Sequence, residues 1–117
     1  MARATGIGGV FFRSRDTKAL AAWYEKHLGV PGFWTQEAGL TIFSPFEHDT
    51  TYFPADKQWM INLRVDDIDA MVADLEAKGV AILGRQDEDY GRFAWILDCD
   101  GVKVELWQQL GEAPPAG

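Results

Sequence analysis

One carboxylate, Glu105, lies in an alternating run that reads as a strand and ends near Trp107. Side chains on a strand alternate between two faces, so Lys103, Glu105 and Trp107 are predicted to share one face. A carboxylate among apolar groups has a raised pKa and can act as a general base. The structural alternative is that Glu105 forms a salt bridge with Arg13 or Arg64.

Aromatic side chains are numerous, with seven Phe, five Trp and three Tyr. They either fill a core or line an apolar pocket for a small molecule. Trp95 lies in the strand-like residues 92–97, on a face that also carries Phe93 and Leu97, and either face of that run can point to the site. The aromatic content alone leaves core and pocket open.

The only cysteine, Cys99, excludes an internal disulfide and suits a reducing cytoplasm. Its neighbours Asp98 and Asp100 raise a thiol pKa, so we do not expect a nucleophile there. His27 lies near the end of a predicted helix, where a cation suits the helix dipole, and a structural role is expected. His48 lies in a polar loop.

The 117 residues and 47% hydrophobic content fit one globular domain. A net charge of −7 without a run of Lys or Arg disfavours binding to nucleic acid or to an anionic membrane. No apolar run approaches the roughly 18 residues of a membrane helix. The first residues lead straight into a predicted strand, so we expect no signal peptide and a cytoplasmic location.

A repeat organises the chain. Residues 7–13 are predicted as a strand, followed by a helix that Asp16 caps and that ends before Gly29. Residues 59–65 and a helix capped by Asp67 repeat this pattern at an offset of about 51, with caps and apolar phase in agreement. Three further strands are predicted in each half: 33–35, 40–43 and 50–53 in the first, and 80–83, 92–97 and 102–107 in the second.

The sequence therefore predicts an α+β fold of two tandem βαβββ modules that form a curved mixed sheet with a cup on one face. Module one covers about residues 5–55 and module two about 57–110 of a single domain, 1–117, with 111–117 as a flexible tail. A cup from one short chain is often incomplete, so a homodimer is expected.

Three stretches, 8–30, 63–80 and 98–107, give the chain a specific resemblance. The third is an Asp-rich turn, Asp98-Cys99-Asp100-Gly101, followed by a strand that ends Glu-Leu-Trp. The sequence resembles the vicinal oxygen chelate superfamily, which includes glyoxalase I, extradiol dioxygenases and bleomycin-resistance proteins. The resemblance implies the glyoxalase/bleomycin-resistance/dihydroxybiphenyl dioxygenase-like fold.

Metal-dependent members of that superfamily hold a divalent ion in the cup. Their ligand positions correspond here to Gly9, Met60, Tyr52 or Phe53, and Glu105. Only Glu105 can bind such an ion well, so the resemblance implies a metal-poor cup and no cofactor. The neighbouring loop carries three groups that could rebuild a metal site: Glu47, His48 and Asp49.

Strand alternation and the resemblance together place apolar and polar groups in the cup. We therefore expect a protein that binds a small aromatic or cationic molecule; the alternatives are a lyase, isomerase or dioxygenase with Glu105 as base or remaining ligand, and an interaction module whose sheet serves dimerisation only. The predicted site consists of Glu105 as the catalytic candidate and Phe11, Arg13, Tyr52, Met60, Asn62, Arg64, Trp95 and Trp107 as substrate-binding residues.

Overall fold

A computed structural model describes residues 2–111 of the chain. The proposed flexible tail therefore lies outside the described residues, apart from Gly111. The helices and strands are α1 (Thr17–Leu28), β1 (Ile61–Arg64), α2 (Ile68–Ala77), β2 (Gly84–Glu88), β3 (Gly91–Leu97) and β4 (Lys103–Gln109). Within the described residues no helix is both long and apolar enough to cross a membrane.

Both helices begin at the predicted caps. The side chain of Asp16 accepts a hydrogen bond from the Ala19 amide at 3.1 Å, and Asp67 does the same for α2. Gly29 ends α1 in the left-handed conformation, with a φ of 67°. Desolvation lowers the pKa of His27 in the last turn of α1, which favours the neutral ring.

The second half of the chain forms one βαβββ-like module. Its sheet has the order β1-β4-β3-β2, in which β1 pairs parallel to β4 and the other pairs are antiparallel. This mixed sheet with helices confirms the predicted α+β class. The strand predicted at 80–83 begins instead at Gly84, and the partly buried Val80 and Ile82 before it pack against the core.

The helices cover one face of this sheet. Leu20 and Tyr24 of α1 are buried together with residues of α2 and of the sheet. On the strands, alternate residues enter this core, as the phase predicts. The fully buried large side chains are Ile68, Leu75, Ile96, Val104 and Leu106.

A buried hydrogen bond ties the first helix to the second module. The Tyr24 hydroxyl donates to Asp98 Oδ2 at 2.5 Å, and the other carboxylate oxygen accepts from the amides of Asp100 and Val102 at 2.8 and 3.0 Å. Asp98 is 6% exposed, and desolvation followed by this contact raises the pKa of Tyr24. The α1 helix is thereby fixed to the β3–β4 turn.

The two edge strands differ in chemistry. The β2 edge is polar, since Arg85, Gln86 and Asp87 are all exposed. Arg85 and Arg92 both bind Asp69 of α2, and their hydrogen bonds lower the pKa of Asp69 to about 2. The β1 edge carries buried Leu63 and half-buried Ile61.

The predicted strands of the first half do not pair within the described chain. Residues 7–13, 33–35, 40–43 and 50–53 form no sheet ladder, and no backbone group of 7–13 bonds to another backbone group among the described residues. Several of their apolar side chains face solvent, including Phe11 at 95%, Phe33 at 102% and Phe43 at 89% exposure. Each of these segments lacks a neighbouring strand among the described residues, so the strands predicted for the first half do not form there.

Candidate ligand-binding site

The sheet face opposite the helices forms a cup, a hollow of about 480 Å³. Its size lies in the range of about 300–1,000 Å³ that small-molecule sites usually have. Alternation on β3 and β4 supplies its floor, because the residues between the core positions point into it. The lining consists of Leu40, Ile42, Tyr52, Asn62, Gln86, Glu88, Tyr90, Phe93, Trp95, Glu105, Trp107 and Gln109.

Glu105 is held at the floor of the cup by hydrogen-bond donors on three sides. Trp95 Nε1 donates to Oε2 at 2.8 Å, and Asn62 Nδ2 donates to Oε1 at 2.7 Å. The Tyr52 hydroxyl also donates to Oε2. Donors to both oxygens fix the orientation of the carboxylate.

Tyr52 joins the two halves of the chain at this point. Desolvation and the hydrogen bond to Glu105 raise the pKa of Tyr52 to about 12, so its hydroxyl remains a donor at neutral pH. Lys103 Nζ lies 4.1 Å from the Tyr52 ring centroid and donates to the Tyr52 carbonyl oxygen at 2.5 Å. The Tyr52 ring is thereby packed between a cation and the cup.

Three aromatic side chains, here named the aromatic row, line the cup beside Glu105: Phe93, Trp95 and Trp107. The Phe93 and Trp107 rings are 3° from parallel and those of Phe93 and Trp95 are 12° from parallel, with centroids 6.2 Å apart in each pair. Tyr90 contacts Phe93 edge-on at 5.9 Å. The row gives the cup a polarisable aromatic lining, of the kind that small-molecule sites usually have.

The charged groups among the described lining residues are Glu88 and Glu105, both acidic. Carboxylates beside aromatic rings favour a cation, through direct attraction and through the negative ring faces. The same charges disfavour an anionic ligand. Among the lining residues, the formal charge of the cup is therefore negative.

The structure brings together five of the nine predicted site residues: Tyr52, Asn62, Trp95, Glu105 and Trp107. Met60 is half-buried outside the lining, and Phe11 and Arg13 are exposed away from it. Arg64 instead donates to the Glu37 carbonyl oxygen at 2.9 Å, beside a separate hollow of about 320 Å³.

The salt bridge considered for Glu105 is replaced by neutral donors, so the partners Arg13 and Arg64 were wrong. The choice of face on β3 is settled by Ala94 and Ile96, which are fully buried. Sequence reasoning missed much of the rim. The missed residues are Leu40 and Ile42 in one run and Gln86, Glu88 and Tyr90 in another. Alternation along these two short runs was the only sequence signal for them.

The donor set does not fit the divalent ion of the metal-dependent relatives. Gly9 and Met60 offer no hard ligand, and Glu105 already accepts three hydrogen bonds. Among residues 2–111 no three His, Cys, Asp or Glu side chains converge. Glu47, His48 and Asp49 lie outside the cup lining, in a turn closed by the bond from the Thr50 amide to the Glu47 carbonyl oxygen.

Comparison with known proteins supports the fold. The sequence model of the Glyoxalase/Bleomycin resistance protein/Dioxygenase superfamily matches residues 6–106. A glyoxylase/bleomycin resistance protein/dioxygenase domain from Frankia sp. EAN1pec is 19% identical, and its structure has a TM-score of 0.62 to this chain. The match covers 92% of this chain and 100% of that domain. No protein of curated function matches the chain.

Two proteins from Streptomyces sp. CB03234 are also similar. The antibiotic binding protein TnmS3 is 24% identical over 92% of this chain and 100% of its own, with a TM-score of 0.58. A glyoxalase/bleomycin resistance protein is 39% identical, but the match covers only 42% of this chain and 45% of that one, with a TM-score of 0.39. The match to TnmS3 shows a shared fold.

Proposed function

The chain belongs to the Glyoxalase/Bleomycin resistance protein/Dioxygenase superfamily, and on that premise we propose that it binds a planar, positively charged aromatic molecule in the cup. The observation that carries the proposal is the aromatic row beside the fixed carboxylate of Glu105. The flat ligand stacks on the row, and its positive charge lies near Glu105 and Glu88.

The physical chemistry of the cup supports binding over turnover. A general base needs an unoccupied lone pair directed at the substrate. Glu105 accepts from Tyr52, Asn62 and Trp95, which leaves about one of its roughly four lone-pair sites for a substrate proton. A lyase, isomerase or dioxygenase role is therefore the less favoured alternative.

Assembly and location form part of the same proposal. We infer a homodimer, supported by the apolar surface that the first half exposes. We infer a cytoplasmic location, supported by Cys99 as the only cysteine. Partial desolvation and the carboxylates of Asp100 and Asp98 raise the pKa of the exposed Cys99, which suits an unreactive thiol.

Fluorescence titration tests the ligand class. Proflavine is a flat cation, 2-naphthol a flat neutral molecule and 2-naphthalenesulfonate a flat anion. We expect proflavine to quench tryptophan emission saturably, with an affinity at least about tenfold above that of the anion at low salt and weaker at high salt.

A matched pair of variants controls for general attraction to an acidic protein. Trp95→Ala removes part of the aromatic row, whereas Leu97→Ala changes the same strand outside the cup lining. Both keep the net charge. Proflavine affinity that is equal in Trp95→Ala, in Leu97→Ala and in the wild type would overturn the proposal, as would the absence of saturable binding.

A further inference from the structure

We propose that the cup selects an elongated dication, a rigid aromatic molecule with one positive group for Glu105 and a second positive group for Glu88. This inference deepens the proposed function and rests on it, since it narrows the ligand class of the same site. It starts from the register of the sheet, which places the two carboxylates at opposite ends of the aromatic row.

The two carboxylates lie on a diagonal of the sheet. Glu105 of β4 is opposite Trp95 of β3, whereas Glu88 of β2 is opposite Gly91, which precedes Trp95 by four residues on β3. Neighbouring strands are about 4.8 Å apart and each residue rises about 3.3 Å, so the Cα atoms of Glu88 and Glu105 are roughly 16 Å apart. A single positive charge that both carboxylates attract can therefore contact only one of them.

Glu88 faces the cup because of the alternation along β2. It shares a face with Gln86, whose partner across the ladder is Phe93, and both polar side chains line the hollow. Arg85 lies between the cup-facing positions and bonds instead to Asp69 of α2, on the helix side of the sheet. The second carboxylate of the cup thus comes from the outer strand.

Neither carboxylate has a cationic partner in the part of the chain that the structure describes. Glu88 and Glu105 are half-buried and form no salt bridge there. The donor to Glu88 is the neutral amide of Gln86, and the donors to Glu105 are likewise neutral. Partial burial reduces screening by water, so a ligand cation at either carboxylate gains more attraction than on an open surface.

The aromatic row follows the same diagonal. Trp95 is the cross-strand partner of Glu105, and Phe93 is the next cup-facing residue of β3 in the direction of Glu88. The Phe93 ring is nearly parallel to the rings of Trp95 and Trp107 on either side. The route between the two carboxylates is therefore aromatic.

Gly91 extends the aromatic surface to Glu88. It is the cross-strand partner of Glu88, and a Cβ at Gly91 would overlap Nε1 of the Trp107 indole. The indole therefore covers the position where a side chain opposite Glu88 would otherwise stand. Each carboxylate thus has an indole beside it, and the face of an indole attracts a positive group.

A cation of the chain itself indicates the direction in which the ligand extends. Lys103 precedes Glu105 by two residues on the same face of β4, and its Nζ lies 4.1 Å from the Tyr52 ring centroid and 5.8 Å from that of Trp95. This end of the row already holds a positive charge. Because like charges repel, the second positive group of a ligand bound at Glu105 points away from Lys103 and towards Glu88.

A rigid molecule that carries both positive groups gains from the two carboxylates together. Once the first group is bound, the second is held near the other carboxylate at a high effective concentration. The gain depends on spacing, since two charges at one end of a ligand cannot reach both Glu105 and Glu88. Spacing is therefore the property that the experiment varies.

Three naphthalene amidines test the inference. Naphthalene-2,6-dicarboxamidine has its positive groups at opposite ends, naphthalene-1,3-dicarboxamidine has both on one ring, and naphthalene-2-carboxamidine has one. Isothermal titration at low salt measures their affinities. We expect the 2,6 isomer to bind at least about tenfold more tightly than the monocation and at least about fivefold more tightly than the 1,3 isomer. The 1,3 isomer has the same charge and controls for general attraction to an acidic protein.

A matched pair of variants locates the second positive group. Glu88→Gln removes the charge and keeps the side-chain length, whereas Asp89→Asn removes the adjacent charge outside the cup lining. The readout is the ratio of the affinities for the 2,6 isomer and the monocation within each protein. We expect this ratio to fall to about threefold or less in Glu88→Gln and to keep its wild-type value in Asp89→Asn. Circular dichroism checks the folding of both variants.

The possible failures of the two proposals are distinguishable. A ratio in Glu88→Gln equal to that of the wild type, or a 1,3 isomer that binds as tightly as the 2,6 isomer, would overturn the inference. If proflavine and the monocation still bind and need Trp95, the proposed function stands without it. The absence of saturable binding of proflavine and of all three amidines would overturn both.

Discussion

Trp95 and Glu105 are direct partners across the β3–β4 ladder, and the Trp95 indole donates to the Glu105 carboxylate at 2.8 Å. Because the two Cα atoms are fixed by the sheet, neither side chain needs a loop to hold it in place. The charged group and the adjoining ring of the aromatic row are thus one rigid unit, prepared before any ligand arrives.

Replacing Glu105 by Gln is expected to weaken proflavine binding by about tenfold, roughly 1.4 kcal/mol, because the anchor loses its charge. Isothermal titration at low salt measures the change. Glu25→Gln on the exposed surface of α1 removes the same charge away from the cup and serves as the control. Equal losses in both variants would show that overall charge, and not the cup, governs affinity.

Phe93→Ala removes the middle ring of the aromatic row. We expect at least about tenfold weaker binding of both proflavine and 2-naphthol, since stacking area is lost for charged and neutral ligands alike. Fluorescence titration measures both affinities, each protein being held at a temperature 20 degrees lower than its own Tm. Leu97→Ala is the control on the same strand. Unchanged affinity in Phe93→Ala would contradict stacking on the row.

The raised pKa of Tyr52 indicates that the free energy of unfolding decreases at alkaline pH. Its pKa is raised from 10 to about 12 in the folded chain, so between these values the unfolded state loses the proton first. Stability is therefore fully present below pH 10 and falls as pH rises towards 12. Urea midpoints between pH 9 and 11.5 should decline less steeply in Tyr52→Phe. Because Tyr24 contributes to both proteins, parallel declines would refute the role of Tyr52.

Asp98→Ala is expected to lower the free energy of unfolding by about 3 kcal/mol, since it leaves the Tyr24 hydroxyl and two amides without their acceptor. Asp56→Ala, at a side chain that is 79% exposed, should change it by less than about 0.5 kcal/mol. Urea unfolding at pH 7 measures both. A loss in Asp98→Ala no larger than in Asp56→Ala would mean that this buried contact does not hold α1.

Gly91→Ala is expected to disturb the cup without touching its charge. A Cβ at Gly91 would overlap Nε1 of the Trp107 indole, so the ring must move, at a cost of about 1–3 kcal/mol. Gly84→Ala is the control, because its Cβ would meet Trp95 at an ordinary 3.7 Å. Tryptophan emission and proflavine affinity should change in Gly91→Ala only. An unshifted spectrum there would show that the indole has room to spare.

The helices and most of the second module were predictable because their signals are local. Asp16 and Asp67 cap helices through bonds only three residues long, and alternation gave the correct core face for Val104 and Leu106. The cup-face position of Glu105 followed from the family resemblance together with the same alternation. The partners of Glu105 could not be read in this way.

Its donors show the limit of local signals. Tyr52 and Asn62 lie 53 and 43 residues from Glu105 in the chain, and no pattern within a strand specifies which distant donors reach a carboxylate. The predicted arginine partners were chosen by charge, whereas the fold supplies neutral donors. The same reason applies to the first-half segments, because alternation within a segment does not specify which strand it pairs with.

The contrast between the two sheet edges has a consequence for solubility during expression. Strand addition at a hydrophobic edge can continue into fibres when both ends of a sheet accept strands. Here the outer strand β2 presents Arg85 and Asp87, and their burial against another backbone would be costly. Neutralising these charges would let β2 accept a further strand, and fibrillar aggregates would replace soluble protein of defined size.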